Sequence, residues 1–172
     1  CSSQITLDLV SPIGIIKNFT SRTLRLPAGN NVLTFRAYDN CHNEGLSPKF
    51  RYPLMRNALN RTGRHIYFSM CEWGRERPHL WATPVANSWR TSVDIKDFYL
   101  SFLHNLEHQV GLAPYAGPGG WNDPDMLEVG NGGMTHEEYI AHFSLWALLK
   151  APLLIGCALK GISNDTLAIL GN

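Results

Sequence analysis

The stretch HIYFSMCEWG, residues 65–74, joins a short run that is typical of a β-strand to the polar and aromatic residues that follow it. Its first six residues are rich in aromatic and β-branched side chains, which favour strands. Directly before it, apolar residues recur at helical spacing over residues 50–62, and Gly63 follows as a suitable C-cap. A helix followed by a strand with a polar end is the unit from which we predict the fold.

The same alternation continues along the chain. Residues 97–110 place their apolar side chains on one helical face. Thr135 and Glu138 form a T-x-x-E capping box that opens a third helix, which Pro152 prevents from continuing. The apolar residues 153–156 then predict one more buried strand. Alternating strands and helices predict an α/β fold of parallel βα units, in which functional groups collect where strands end.

The N-terminal part of the chain does not follow this pattern. Residues 2–37 contain apolar runs but no helical period, repeat or motif, so residues 1–37 stay unassigned and residues 38–172 carry the prediction. The 172 residues suffice for one ordinary domain. They are fewer than the roughly 250 that a closed (β/α)₈ barrel usually takes.

Charge and composition restrict the classes of partner. The formal net charge is +1 and no long run of Lys or Arg occurs, so we expect no nucleic-acid partner and no anionic membrane surface. No stretch reaches the length of about 18 apolar residues that a membrane-spanning helix needs. The chain is rich in aromatic residues and nearly neutral, which favours an uncharged partner such as a sugar.

The cysteines and histidines indicate no metal site. None of the four Cys and seven His residues stands at a metal-ligand spacing. Cys71 and Cys157 are interpreted as buried thiols. Three N-x-[ST] sequons, at Asn18, Asn60 and Asn164, would permit N-glycosylation in a secreted protein.

Acidic residues and tryptophans gather near the predicted strand ends. Asp39 lies in YDNC, residues 38–41, although a turn or helix cap is the commoner role of such a residue taken alone. NSWRTSVD, residues 87–94, places an Arg and an Asp four apart, and WNDPDM, residues 121–126, adds two acids. Carboxylates accept hydrogen bonds from hydroxyls, and indole faces cover the apolar side of a sugar ring. Glycoside hydrolysis needs two acids in unlike environments, but composition does not identify the pair.

Four segments occur in a specific order: YDNC at 38–41, SMCEWG at 69–74, NSWRT with DI at 87–91 and 94–95, and AGPGGWNDPDML at 116–127. The pattern continues through EVGNGGM at 128–134 to APLL at 151–154. Together they resemble the signatures of glycoside hydrolase family 27, in particular its plant-type α-galactosidases or melibiases. One of the four motifs is longer than ten residues, so the resemblance is highly specific.

The resemblance implies an incomplete (β/α)₈ TIM barrel, with roughly strands 4 to 8 in the C-terminal part of the catalytic domain over residues 38–172. It implies retaining hydrolysis of terminal non-reducing α-D-galactosyl residues in galacto-oligosaccharides and galactomannans, without a cofactor. Cys41 matches a disulfide position of the family, and Cys1 is the candidate partner. We therefore expect a secreted plant protein of the cell wall, apoplast or vacuole.

The resemblance also implies a role for each matched residue. Asp39 would be the nucleophile that forms a covalent galactosyl-enzyme, and Asp94 the general acid and then base. In a retaining pair the two carboxyl groups should lie roughly 5 to 5.5 Å apart. The matched sugar-contacting positions are Glu72, Trp73, Arg90, Asp125 and Met126.

Departures from the family pattern leave two other functions open. Ala37 stands where the family has a sugar-binding Lys, and the loss of such a charged hydrogen bond costs roughly 1.5 to 3 kcal/mol. Residues 2–37 and 98–114 also differ from the family sequence. The chain could therefore be a catalytically inactive truncated fragment of such an enzyme. A β-L-arabinopyranosidase is the other alternative, because its substrate shares the ring hydroxyl pattern without the 6-hydroxymethyl group.

Overall fold

A computed structural model describes residues 9–11, 14–16, 24–25, 32–41 and 43–172. Its strands are β1 (Leu9–Ser11), β2 (Gly14–Ile16), β3 (Leu24–Arg25), β4 (Val32–Asp39), β5 (Ile66–Cys71), β6 (Ser88–Arg90) and β7 (Trp121–Asp123). Its α-helices are α1 (Pro48–Asn60), α2 (Tyr99–Glu107), α3 (His136–Leu148) and α4 (Asn164–Leu170). Short 3-10 helices lie at Pro78–Leu80 and Ala113–Tyr115.

Five of the strands form one sheet in the order β3-β4-β5-β6-β7. The strands β4 to β7 run parallel, whereas β3 pairs with β4 in the antiparallel direction and β1 pairs separately with β2. Helix α1 connects β4 to β5, and α2 connects β6 to β7. The predicted α/β fold with parallel βα units is confirmed, and four parallel strands are consistent with an incomplete barrel.

The prediction of a strand over residues 153–156 is wrong in its extent. Ile155 forms a single parallel bridge with Leu127. The Leu127 amide donates to the Leu154 carbonyl at 2.8 Å, and the Gly156 amide donates to the Leu127 carbonyl at 2.9 Å. The Leu154 amide donates to the Pro152 carbonyl at 2.9 Å in a tight turn, so it is not available to lengthen the ladder.

Helices α1, α2 and α3 form where the amphipathic pattern predicts them, whereas α4 was not predicted. Helix α1 begins at Pro48, two residues before the predicted start, because the Ser47 hydroxyl accepts a hydrogen bond from the Lys49 amide at 3.2 Å. Helix α2 is shorter at both ends than the predicted 97–110. No side chain caps this helix at Phe98, and the Ser101 amide donates to the Phe98 carbonyl at 3.1 Å instead.

The predicted capping box of α3 is confirmed. The Thr135 hydroxyl accepts from the Glu138 amide at 3.3 Å, and the Glu138 carboxylate accepts from the Thr135 amide at 2.8 Å. Two orphan amides are thus satisfied reciprocally, which fixes the start of the helix. The helix ends at Leu148, before Pro152.

Side chains on the two faces of the sheet have different environments. On one face Met70 and Trp89 are wholly buried and pack with Tyr52 of α1. Met70 pairs with Trp89 in the parallel register, so the next residues, Cys71 and Arg90, are level with each other on the opposite face. A second core, which contains Phe102, Leu127 and Trp146, lies around α2 and α3.

The strand register brings three charged residues and a cysteine into one row on that opposite face. Asp39 pairs with Cys71, and Arg90 pairs with Asp123. Each residue is the last of its strand, so the row lies at the carboxyl ends of β4 to β7. Strand β4 begins at Val32, so part of the stretch that the sequence left unassigned forms the strand that carries Asp39. Functional groups of parallel βα units collect at this edge.

Candidate active site

Arg90 is the central charged group at the carboxyl edge of the sheet. Its side chain is buried, and its Nη2 atom lies 2.7 Å from Asp125 Oδ2 and 3.2 Å from Asp94 Oδ1. The same nitrogen lies 3.2 Å from the Ser92 carbonyl, while Nη1 lies 3.7 Å from the Cys71 sulfur. One guanidinium therefore connects two of the carboxylates that the sequence analysis selected.

Asp94 differs from the other charged groups because 73% of its side chain is exposed. It lies in the loop between β6 and α2. The i,i+4 spacing of Arg90 and Asp94 in the sequence corresponds to a real ion pair in the structure. An exposed carboxylate that a buried guanidinium holds in place can meet a ligand from solvent.

Asp125 is nearly buried and has an unusual backbone. Its φ angle is +97°, in the region that favours glycine. Its Oδ1 atom accepts from the Met126 amide at 2.8 Å, and its Oδ2 atom accepts from the Ile95 amide at 2.8 Å and from Arg90. Burial raises the pKa of Asp125 to about 6, and the Arg90 charge opposes that rise. Both carboxylate oxygens thus already have protein donors.

Glu72 follows β5 and is wholly buried. One carboxylate oxygen accepts a short hydrogen bond from the Glu76 amide, and the other, Oε2, has no partner among the described residues. Burial raises the pKa of this carboxyl to about 7, while the Glu76 amide lowers it. The predicted contact between Glu72 and a sugar stays a prediction.

The turn after Glu72 is tightly constrained. Trp73 has a φ angle of +61°, and the Arg75 guanidinium lies 5.0 Å from the centroid of its ring. Gly74 has a φ angle of +74°, and a Cβ atom there would lie 2.1 Å from the Thr91 carbonyl oxygen. The loops after β5 and β6 therefore touch at their backbones, and glycine is required at the contact.

Asp39 is half-buried at the end of β4, and its Oδ1 atom has no hydrogen-bond partner in the described part of the chain. The pKa of the adjacent Cys71 thiol is raised, and burial is the largest cause. The positive charge of Arg90 lowers this pKa, and the Asp39 carboxylate raises it further. Asp39 and Arg90 thus flank Cys71 in the row. The predicted separation between the Asp39 and Asp94 carboxyl groups stays a prediction.

Two other positions that the sequence analysis selected lie beside the row of strand-end residues. Ala37 is exposed and, two residues before Asp39, belongs to the same face of β4. Met126 is half-buried, and its amide holds Asp125 Oδ1. Cys71 and Cys157 are both buried, as predicted. The predicted pairing of Cys41 with Cys1 falls outside the described residues.

Two polar residues organise this edge in ways that the sequence did not predict. Asp123 was counted among the acids of WNDPDM but given no role, and Asn105 was not selected. Asp123 is buried, and its Oδ1 atom accepts from the Asp125 amide at 2.9 Å. Asn105 of α2 is also wholly buried and donates to the carbonyls of Val93 and Pro124. A signal for Asn105 was available, because it follows Phe102 by three residues and so lies on the apolar face of the helix.

The described part of the chain contains no group of three or more His, Cys, Asp or Glu side chains that could hold a metal ion. Among the same residues, no helix has both the length and the apolar character that crossing a bilayer requires.

Comparison with known proteins identifies the relatives of this chain. A family model described as alpha galactosidase A matches residues 28–172, starting ten residues before the boundary predicted at residue 38. Alpha-galactosidase 3 of Arabidopsis thaliana is 60% identical over 135 residues, which are 78% of this chain and 31% of that protein. Alpha-galactosidase of Cyamopsis tetragonoloba is 57% identical over 78% of this chain and 33% of that protein. The chain thus spans about a third of the length of these relatives.

Solved structures give the same family. Alpha-galactosidase I from Mortierella vinacea superposes with a TM-score of 0.78 at 39% identity, covering 80% of this chain and 41% of that one. A β-L-arabinopyranosidase of the same family, from Geobacillus stearothermophilus, is 24% identical with a TM-score of 0.69 over 80% of this chain and 36% of its own, which shows a shared fold alone. The matched family model, the identities and the carboxyl-edge residues agree with the motifs, and the chain belongs to the α-galactosidase family of glycoside hydrolases, family 27.

Proposed function

We propose that the protein acts as a retaining α-galactosidase on terminal non-reducing α-D-galactosyl residues of galacto-oligosaccharides and galactomannans. The observation that carries this proposal is the bond of Arg90 to both Asp94 and Asp125 at the sheet edge where Asp39 ends β4. Plant α-galactosidases with 57 to 60% identity support the choice of substrate class.

In the proposed reaction Asp39 attacks the anomeric carbon while Asp94 donates a proton to the leaving oxygen. The products of this first step are a covalent galactosyl-enzyme and the released alcohol. Asp94, now ionised, removes a proton from water, which displaces Asp39 and restores both groups. The exposure of Asp94 supports this role, because an acid and base that exchanges protons with leaving group and water must reach both.

Three buried polar atoms support sugar recognition at the same edge. Asp39 Oδ1, Glu72 Oε2 and Arg90 Nε have no hydrogen-bond partner within the described residues. An unpaired buried polar atom costs about 1 to 3 kcal/mol, so native proteins rarely keep several close together without a ligand or water. Sugar hydroxyls, which both donate and accept, would satisfy the carboxylates and the guanidinium alike. Asp125, Trp73 and Met126 would complete the contacts.

We also propose that the protein is secreted in a plant, to the cell wall, apoplast or vacuole, and that Cys1 pairs with Cys41. The sequons at Asn60 and Asn164 are both exposed, which is compatible with glycosylation on such a route. Peptide mass analysis without reduction tests the disulfide. An alkylated Cys41 thiol in the natural protein would contradict it.

The test of the function is hydrolysis of an aryl α-galactoside by the purified 172-residue chain, with Asp39→Asn as the matched control. Turnover above that control, with release of α-galactose as first product, is the expected result. Equal rates for the chain and the control would instead favour the inactive fragment. Faster hydrolysis of an aryl β-L-arabinopyranoside would favour the related specificity.

A further inference from the structure

We propose that Asn105 is a positioning residue that holds the loop of Asp94 and the loop of Asp125 at a fixed separation, and so aims the general acid. This inference rests on the function proposed above for Asp94. Asn105 lies on α2, in the segment 98–114, and belongs to none of the motifs that carry the family resemblance.

The contacts of Asn105 are specific to these two loops. Its Nδ2 atom donates to the Val93 carbonyl at 3.0 Å and to the Pro124 carbonyl at 2.9 Å. A side-chain amide nitrogen has two hydrogens, so both donors are used. Each accepting carbonyl belongs to the residue directly before a site carboxylate, Asp94 in one loop and Asp125 in the other.

Burial makes this contact consequential. Asn105 is wholly inaccessible to solvent, and its Oδ1 atom has no partner among the described residues. A buried amide oxygen without a partner destabilises the folded protein. We therefore attribute the presence of Asn105 at this position to the two hydrogen bonds that its nitrogen donates. Phe102, on the same face of α2, packs into an apolar core. A leucine at position 105 would therefore suit its surroundings better than an amide.

The Pro124 bond also stabilises an unfavourable backbone conformation. Asp125 has a φ angle of +97°, a left-handed backbone conformation that is unfavourable for a residue other than glycine. Asn105 fixes the carbonyl before Asp125, and Trp146 Nε1 fixes the carbonyl of Asp125 itself at 2.8 Å. Because the peptide planes on both sides of Asp125 are fixed, its Oδ2 atom stays within hydrogen-bond distance of the Ile95 amide and of Arg90. Arg90 in turn forms the ion pair with Asp94.

Asn105→Leu is the variant that tests the positioning role, because leucine has nearly the same shape and lacks both donors. Asn57→Leu, on an exposed position of α1, is the matched control. In NMR hydrogen exchange on the full 172-residue chain, the Ile95 and Asp125 amides should exchange about tenfold faster in Asn105→Leu, which corresponds to the loss of one hydrogen bond. Amides of β5 should keep their rates. A uniform acceleration of all amides, or no change at Ile95, would overturn the proposal.

The wild-type chain provides a second measurement if Asn105→Leu does not fold. The side-chain NH₂ protons of Asn105 should exchange slowly and with the same protection factor as the Asp125 amide, because one local opening would expose both. Exchange as fast as that of the exposed Asn57 side chain would overturn the proposal. Neither exchange measurement requires turnover, so an inactive chain would refute the proposed function without deciding this one.

If the chain hydrolyses aryl α-galactosides, two substrates with different leaving groups distinguish mispositioning of Asp94 from a loss of folded protein. Asn105→Leu should lower kcat/KM for phenyl α-galactoside about tenfold more than for 2,4-dinitrophenyl α-galactoside, whose leaving group needs little protonation. Loss of folded protein would lower both values by the same factor. Equal losses for the two substrates would therefore count against a role in aiming Asp94.

Discussion

Arg90 and Asp125 form a buried ion pair, with 2.7 Å between Nη2 and Oδ2 and about a tenth or less of each side chain exposed. Removal of one partner of such a pair leaves an uncompensated charge in the interior. The pair therefore has a stability consequence separate from any role in binding sugar.

Arg90→Met should lower the free energy of unfolding by about 3 to 5 kcal/mol at neutral pH. Urea denaturation followed by circular dichroism measures this. The double variant Arg90→Met/Asp125→Asn should recover part of the loss, because the orphaned charge is gone. If the losses of unfolding free energy in Arg90→Met and Asp125→Asn simply added up in the double variant, this account would be contradicted.

Asp94→Asn should separate activity from stability. Because 73% of the side chain is exposed, its ion pair with Arg90 should contribute only about 0 to 1 kcal/mol to folding. Loss of the acid and base should lower kcat for a substrate with a poor leaving group by about 10² to 10⁴. Urea denaturation gives the change in unfolding free energy, and steady-state kinetics on the same preparation give the change in kcat. An unchanged kcat would exclude Asp94 as the general acid.

Glu72 should make the protein less stable as pH rises. Its folded-state pKa is raised from 4.5 to about 7, so the folded protein binds the proton more tightly than the unfolded chain does. The free energy of unfolding should therefore fall between about pH 4.5 and 7, by about 3 kcal/mol, and then level off.

Glu72→Gln should flatten that part of the pH profile, since the amide does not titrate. Asp125, with its pKa raised to about 6, will leave a smaller slope of the same sign. Glu137→Gln, at an exposed position, is the control and should keep the full slope. An unchanged slope in Glu72→Gln would show that the buried carboxyl is not the source.

Gly74→Ala and Gly45→Ala form a matched pair. Their φ angles are +74° and +78°, so both variants carry a similar left-handed strain of roughly 1 to 2 kcal/mol. Only at Gly74 would the new Cβ atom meet the Thr91 oxygen, whereas Gly45 has no atom within 4 Å. Gly74→Ala should be the more destabilising by about 1 to 3 kcal/mol in thermal or urea unfolding. Equal losses would mean that the two loops separate at little cost.

Local signals in the sequence were sufficient where the structure depends on local bonds. The capping box at Thr135 and the end of α3 before Pro152 are examples, because each depends on neighbours in the chain. The strand predicted over residues 153–156 was too long because apolar composition does not reveal where an amide is already used in a turn. The role of Asn105 depends on its bonds to the Val93 and Pro124 carbonyls, 12 and 19 positions away in sequence, which periodicity cannot predict.

The candidate site shows the same division. The sequence analysis noted that Arg90 and Asp94 are four residues apart, and the structure shows that they form an ion pair. The bond from the Ile95 amide to Asp125 Oδ2 was not foreseeable, since it joins residues thirty positions apart. Motif resemblance identified Asp125, and tertiary structure was needed to show that its carboxylate is already engaged.

The single bridge between Leu127 and Ile155 has a genetic consequence. Leu127 lies two residues after Asp125, and its main chain is held by Leu154 and Gly156. A nonsense allele that ends translation shortly after residue 150 would remove both partners, together with Ile169 from the core that contains Leu127. Such an allele would keep every motif residue from Asp39 to Met126 and still release the backbone next to the site, so it should be scored as a loss-of-function allele.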